Sequence, residues 1–190
     1  WTPLREGLVF SEVIENWKQD EYGVDEKLIQ KVSDETAEIL SKCVDPKKEN
    51  IEKKQSTGLI IGQVQSGKTL SMTAVSSMAK DNGFGIVIVM SGNISSLSGQ
   101  TADRFEKALE GRNTIKIKNN PEENRWSLED NLMNVQSVIE NFKENEDPNE
   151  RTTLLIVTHK NPARINHIVD LFENLGELHN KIPTLIIDDE

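Results

Sequence analysis

The chain of 190 residues is poor in cysteine and in basic charge. Its one cysteine, Cys43, cannot form a disulfide within the chain, and such usage is typical of a reducing cytoplasm. We expect Cys43 to be a small buried apolar residue of a helix rather than a catalytic thiol. Lys and Arg number 22 against 32 Asp and Glu, and this net charge of −10 argues against a broad basic surface for nucleic acid.

Long apolar runs and targeting signals are also missing. No stretch approaches the roughly 20 apolar residues of a membrane-spanning helix, and the chain opens without the apolar segment of a signal peptide. We therefore expect a cytoplasmic protein, and because the sequence begins with Trp1, we expect a piece of a longer one. The three histidines lack the spacing of metal ligands, so we expect surface or core roles for His159, His167 and His179.

What is present is an alternation of apolar runs with helical periodicity. The length and ordinary composition of the chain predict one globular domain. Strands that alternate with helices predict an α/β fold with a parallel sheet flanked by helices. Two amphipathic patterns within residues 1–50 predict an N-terminal helical extension before a lobe at 51–190. Buried strands are predicted at 58–61, 84–90, 154–157 and 182–187, a shorter one near an edge at 114–117, and later helices at 70–82, 97–109, 127–142 and 162–172.

Residues 62–69, Gly-Gln-Val-Gln-Ser-Gly-Lys-Thr, fit the phosphate-loop spacing G-x-x-x-x-G-K-[ST]. The predicted strand before the loop and the predicted helix after it are the context that such a loop requires. Backbone N–H groups and the positive end of the helix would face a phosphate. Lys68 would reach the β- and γ-phosphates of ATP, and Thr69 would ligate Mg²⁺. The predicted nucleotide-binding residues are Gly62, Gln63, Val64, Gln65, Ser66, Gly67, Lys68, Thr69 and Leu70.

The last apolar run ends in Asp188, Asp189 and Glu190, a pattern typical of a Walker B strand. In a parallel sheet this end lies on the same edge as the phosphate loop. One aspartate would hold Mg²⁺, and a following glutamate would polarise the attacking water. The acting pair is either Asp188-Asp189 or Asp189-Glu190. We favour Asp189 for the metal and Glu190 for the water, because only that pair has the Asp-Glu order of a nucleotide hydrolase. Lys68 and Glu190 are the candidate catalytic residues.

The phosphate loop, the Ser-Gly loop after the next strand and the final Ile-Ile-Asp-Asp-Glu together resemble the Z-one domain. That family comprises superfamily-two helicase-like ATPases of bacterial restriction and phage-defence loci, often described as endonucleases. The resemblance covers roughly residues 55–190. It implies the first RecA-like lobe of an ATPase that couples ATP hydrolysis to DNA remodelling or translocation. The family continues with a second RecA-like lobe, which we expect, with its arginine finger, beyond Glu190.

Two further segments are similar to helicase motifs. Residues 91–105 resemble motif Ia and residues 157–165 resemble motif Ib, which in helicases lie against the nucleic-acid backbone. Independently of the family, Lys160 and Arg164 follow a strand's carboxyl end, where they would either contact phosphates or be solvated charges. The resemblance implies DNA and nuclease or other defence subunits as partners. Apart from the nucleotide site, the sequence shows no carboxylate cluster of a nuclease, and it lacks a convincing adenine-reading glutamine motif.

Three functions follow from these patterns. The first is an ATP-driven nucleic-acid motor, whose isolated first lobe should bind nucleotide weakly and hydrolyse little. The second is another P-loop enzyme, but residues 158–161 match the Asn-Lys-x-Asp base reader of a GTPase only in part. An arginine-rich lid of a small-molecule kinase is also missing, since residues 121–150 are acidic. The third is a non-catalytic nucleotide-binding module that keeps the loop as a structural element.

Overall fold

A computed structural model describes residues 1–19, 24–48, 55–61, 68–91, 113–119 and 126–189. The helix predicted at 97–109 lies outside these residues, and apart from the strand predicted at 58–61 the other alternating elements form close to their predicted positions. The elements are α1 (Leu8–Gln19), α2 (Glu26–Lys42), α3 (Lys68–Asp81), β1 (Ile86–Ser91), β2 (Thr114–Asn119), α4 (Leu128–Glu144), β3 (Thr153–His159), α5 (Pro162–Leu175), a 3₁₀ helix (Gly176–Lys181) and β4 (Thr184–Asp189). None of the described helices is both long and apolar enough to cross a membrane.

The described strands form one sheet in the order β2-β3-β1-β4. All three pairings are parallel, as the alternation of strands and helices predicts. The central strands β1 and β3 are apolar on both sides because helices cover both faces of the sheet. β2 lies at an edge of the described sheet, as predicted, but with six residues it is as long as β1 and β4, and β4 forms the other edge. This confirms the α/β class and is consistent with a RecA-like lobe.

Side chains alternate between the two faces of each strand, and each face has its own core. On one face Ile88 and Ile156 pack with Val138 of α4 and Leu171 of α5. We call this the α5 face. On the other, Val87, Val89 and Leu155 pack with Val9 of α1 and Met72 of α3, and we call this the α3 face. Any residue of β1, β3 or β4 can therefore be assigned to a face from its position along the strand.

The N-terminal helices α1 and α2 pack directly on α3. Phe10, Leu40 and Met78, from α1, α2 and α3, belong to one buried cluster. The buried carboxylate of Asp81 accepts hydrogen bonds from the backbone N–H groups of Val9 and Phe10, at 3.0 and 2.8 Å. These N–H groups lie in the first turn of α1, where no partner exists within the helix. The end of α3 therefore caps the beginning of α1 and holds the N-terminal helices in place.

Helix ends follow the signals in the sequence. Asp25 caps α2, and the Ser127 side chain accepts from Asp130 N–H at the start of α4, as the pattern predicts. Asn161 caps α5, with Pro162 in its first turn. After α3, Gly83 adopts a φ of 100°, a left-handed conformation that favours glycine. The helix predicted to end at residue 82 ends at Asp81.

The strand predicted at residues 58–61 is wrong. This segment has no regular secondary structure, and Leu59, Ile60 and Ile61 are 85%, 63% and 88% exposed. A short apolar run forms a strand only where a neighbouring strand accepts its hydrogen bonds, and no described strand pairs with this one. The apolar composition of residues 58–61 predicted a strand, but composition does not show whether a neighbouring strand is present to pair with it.

Candidate functional site

Helix α3 runs antiparallel to the strands. Near its end, Lys80 Nζ donates to the carbonyl oxygen of Asn113 and to Thr114 Oγ1, at the amino end of β2. Its 14 residues span about 21 Å at 1.5 Å per residue, close to the roughly 20 Å of a six-residue strand such as β1. The first turn of α3 is therefore directed to the edge formed by the carboxyl ends of the strands, which we call the carboxyl rim.

Three of the predicted nucleotide-binding residues form that first turn. Lys68 is exposed, and Thr69 and Leu70 are partly buried. The turn presents the positive end of the helix dipole, which favours an anion. The remaining predicted site residues, Gly62, Gln63, Val64, Gln65, Ser66, Gly67 and Glu190, lie outside the described residues.

Of the two aspartates that end β4, Asp189 lies on the α3 face. Leu185 and Ile187 pack against the cluster that contains the α3 residues Ala74 and Met78. Asp189 continues their alternation, whereas Asp188 follows Ile186 on the α5 face. Both ends of the predicted Mg²⁺ site, the first turn of α3 and Asp189, therefore lie on one face at the carboxyl rim.

Asp188 is engaged on the opposite face. Its Oδ1 lies 2.8 Å from Nζ of Lys160, which follows β3. Because β1 separates β3 from β4, this ion pair extends across the end of β1. The two side chains are 33% and 48% exposed, so water screens the pair only in part. Geometry thus distinguishes the two aspartates: Asp189 lies on the α3 face, whereas Asp188 on the α5 face binds a lysine.

His159 contributes a second polar side chain on the α3 face. It continues the alternation of Leu155 and Val157, and Ser91 of β1 is in register with both His159 and Asp189. Nδ1 of His159 is buried, and no described group gives it a hydrogen bond. A buried polar atom without a partner costs about 1–3 kcal/mol. Such costs are concentrated at functional sites, where a ligand or water supplies the missing partner.

We expect His159→Leu to leave the free energy of unfolding unchanged or to raise it by up to about 1 kcal/mol, because the substitution removes an unpaired buried nitrogen. Urea unfolding followed by circular dichroism measures the effect. Thr158→Val, which removes a buried hydroxyl that accepts a hydrogen bond from Asn119, is the comparison and should lower stability by about 1–2 kcal/mol. Equal destabilisation by both substitutions would mean that His159 Nδ1 has a partner in solution.

A buried polar network on the α5 face holds the loop after β3. Nδ2 of Asn119 donates to Thr158 Oγ1 at 2.9 Å and to the carbonyl oxygen of Arg164 at 2.7 Å. Its Oδ1 lies 3.1 Å from Nδ1 of His167. Since both amide donations fix the orientation of Asn119, Nδ1 of His167 carries the hydrogen in this network. Trp126 stacks on the His167 ring at 5.0 Å. These residues have structural roles, as expected for His167.

The donors at the carboxyl rim suit magnesium. Among the described residues, no group of three or more His, Cys, Asp or Glu side chains is placed to hold a metal ion. Thr69 and Asp189 instead offer hydroxyl and carboxylate oxygens, and Mg²⁺ in nucleotide sites takes one or two such ligands plus phosphate oxygens and waters.

Away from the rim, burial raises the pKa of the Cys43 thiol, which argues against a nucleophilic cysteine.

Comparison of the chain with protein-family models, with curated proteins and with solved structures found no match. The functional assignment therefore rests on the sequence motif and on the arrangement of the carboxyl rim. The sequence had identified Lys160 as a possible phosphate contact, but it gave no signal for the ion pair with Asp188. That contact depends on the strand order, which places β1 between the two residues.

Proposed function

We propose that the chain is the first RecA-like lobe of a helicase-like ATPase, with the helical extension at its N-terminus. The observation that carries the proposal is the common location of the first turn of α3 and of Asp189. Both lie at the carboxyl rim on the α3 face, and the phosphate-loop spacing ends in that turn. In parallel α/β folds, ligands bind at this end of the strands.

Each residue of the site has a separate role in the proposal. The loop at 62–67 and the first N–H groups of α3 bind the phosphates of ATP. Lys68 neutralises the β- and γ-phosphate charge, and Thr69 with Asp189 holds Mg²⁺. The metal, when bound, neutralises the charge that develops on the phosphates. Glu190 orients the attacking water. The chain itself therefore supplies binding and orientation, while charge stabilisation from a second lobe completes hydrolysis.

The resemblance to the Z-one domain extends the proposal to a biological setting. Under it, the protein acts on DNA in the bacterial cytoplasm as part of a restriction or anti-phage system. The net charge of −10 restricts DNA contact to a local surface or to a second lobe. Any cleavage of DNA would be carried out by another domain or subunit, since the rim donors described above suit a nucleotide-bound Mg²⁺.

The contacts of Lys160 and Asn161 argue against a GTPase function. The segment that partly matches a guanine reader is occupied by structural contacts. Oδ1 of Asn161 accepts the backbone N–H of Arg164 at 3.0 Å as the cap of α5, and Lys160 pairs with Asp188. In this arrangement neither side chain is positioned as the Asn-Lys pair of a base reader.

A thermal-shift comparison of nucleotides tests the proposal. With Mg²⁺ and ATP at about ten times the dissociation constant, linkage gives about 1.4 kcal/mol of stabilisation and a rise of roughly 3–6 °C in the unfolding midpoint for a chain of this size. GTP at the same concentration should give a smaller rise, and EDTA should reduce the effect of ATP. Equal shifts with ATP and GTP, or no shift with either, would contradict the proposal.

A further inference from the structure

The ion pair between Lys160 and Asp188 connects two strands that do not touch. Lys160 follows β3, Asp188 lies one residue before the end of β4, and β1 lies between them. β4 is an edge of the described sheet, and the described backbone pairing of its last residues is with Met90 and Ser91 of β1. The Lys160 side chain therefore provides a second attachment for the end of β4.

The ion pair of Asp188 also restricts the position of the next residue, Asp189. Adjacent residues of a strand point to opposite faces, so Asp188 is held on the α5 face while Asp189 is directed to the α3 face. Fixing one side chain restricts rotation of the backbone that both residues share. The pair also neutralises Asp188, which leaves Asp189 as the aspartate of β4 that does not bind this lysine and lies on the α3 face.

The contacts at the base of Lys160 make the attachment rigid. Thr158 is fully buried and accepts a hydrogen bond from Asn119 of β2. Asn161 caps α5. The residues on both sides of Lys160 are thus held by the sheet and by a helix, so its side chain extends from a fixed backbone.

We propose that Lys160 is a positioning residue for the metal-binding carboxylate of Asp189, acting through its ion pair with Asp188. The inference rests on the proposed function, because it concerns the Mg²⁺ of the same nucleotide site. Groups that orient a metal ligand from outside the coordination sphere commonly change metal affinity by about tenfold or more. The partial exposure of this pair lowers the expected effect.

Lys160→Met should raise the Mg²⁺ concentration needed for half-maximal binding of a fluorescent ATP analogue by about three- to tenfold. Asp188→Asn should shift the Mg²⁺ midpoint in the same direction and by a similar factor. Lys160→Arg, which can restore the pair, should recover most of the wild-type value. The matched control is Lys42→Met, since Lys42 forms an exposed ion pair with Glu38 on α2 and should leave the Mg²⁺ dependence unchanged.

The thermal unfolding midpoint without ligand separates positioning from general stability. A merely structural role would lower this midpoint in Lys160→Met without moving the Mg²⁺ dependence, which would overturn the inference while leaving the proposed function intact. A much larger loss in Asp188→Asn than in Lys160→Met would show that Asp188 itself binds the metal and would also overturn it. Absence of Mg²⁺-dependent nucleotide binding by the wild-type protein would overturn both the inference and the proposed function.

Discussion

Replacement of Lys68 by alanine is expected to weaken binding of Mg²⁺-ATP at least a hundredfold, about 2.7 kcal/mol, because a charge-assisted contact to the phosphates is lost. Stability should change by less than about 0.5 kcal/mol, since the Lys68 side chain is exposed at the first position of α3. Removing a positive charge from a helix N-terminus also relieves an unfavourable interaction with the dipole. Titration of a fluorescent ATP analogue measures the first effect and urea unfolding the second.

Lys80 at the other end of α3 provides the matched control. It is 3% exposed, and its ammonium group donates to Asn113 and Thr114 at the amino end of β2. Lys80→Ala removes these two hydrogen bonds and the buried packing of the side chain, and it should lower the free energy of unfolding by about 2 kcal/mol while nucleotide affinity in the folded fraction is retained. Wild-type affinity in Lys68→Ala would show that the loop does not bind nucleotide through this lysine, and the proposed ATPase function would be wrong.

Asp81→Ala should destabilise the protein by about 3 kcal/mol, because two buried backbone N–H groups lose a charged acceptor at once. Val9 and Phe10 donate these bonds, and Asp81 itself is 4% exposed. Gly7 lies so close to Asp81 that an added Cβ would overlap its carboxyl group. Repacking around the cap is therefore restricted. Urea unfolding followed by circular dichroism gives the change in free energy.

Asp34 is the comparison for Asp81. Hydrogen bonds from Gln30 and Arg5 hold the pKa of Asp34 below its usual value, but this carboxylate is exposed, and exposed ion pairs contribute little. Asp34→Ala should therefore leave the urea midpoint almost unchanged. If Asp81→Ala had an equally small effect, the cap on α1 would contribute little, and the attachment of the N-terminal helices would depend on apolar packing and on the hydrogen bonds between Asn82 and Leu4.

Local patterns in the sequence predicted most of the fold. Helix caps such as Ser127 and the stop at Gly83 act within a few residues, so they can be identified without knowledge of the tertiary structure. Central strands such as β1 are apolar on both faces, which distinguishes them from half-exposed strands. The run at 58–61 has the same apolar composition but is exposed. Whether such a run forms a strand depends on pairing with a neighbouring strand, and a local sequence pattern carries no information about that pairing.

The candidate site was predictable at the level of motifs but not of contacts. Motif spacing made Lys68 and Thr69 candidates, and the end of an apolar run made Asp188, Asp189 and Glu190 candidates. The separation of Asp188 from Asp189 required the packing of β4 against α3 and the ion pair with Lys160, whose partners are 28 residues apart in the sequence (188 − 160 = 28). The capping of α1 by Asp81 joins residues 71 and 72 positions apart. Contacts of this kind depend on topology.

The outer side of β4 also has a consequence for the behaviour of the protein in solution. Within the described sheet, β4 has a neighbour on one side only, and Ile186 on its α5 face is 57% exposed. An open strand edge of this kind can recruit another chain through its backbone. The repulsion between molecules of net charge −10 opposes such recruitment. Because salt screens that repulsion over about 10 Å at 0.1 M, colloidal stability depends on ionic strength, and buffers of low salt keep the molecules apart.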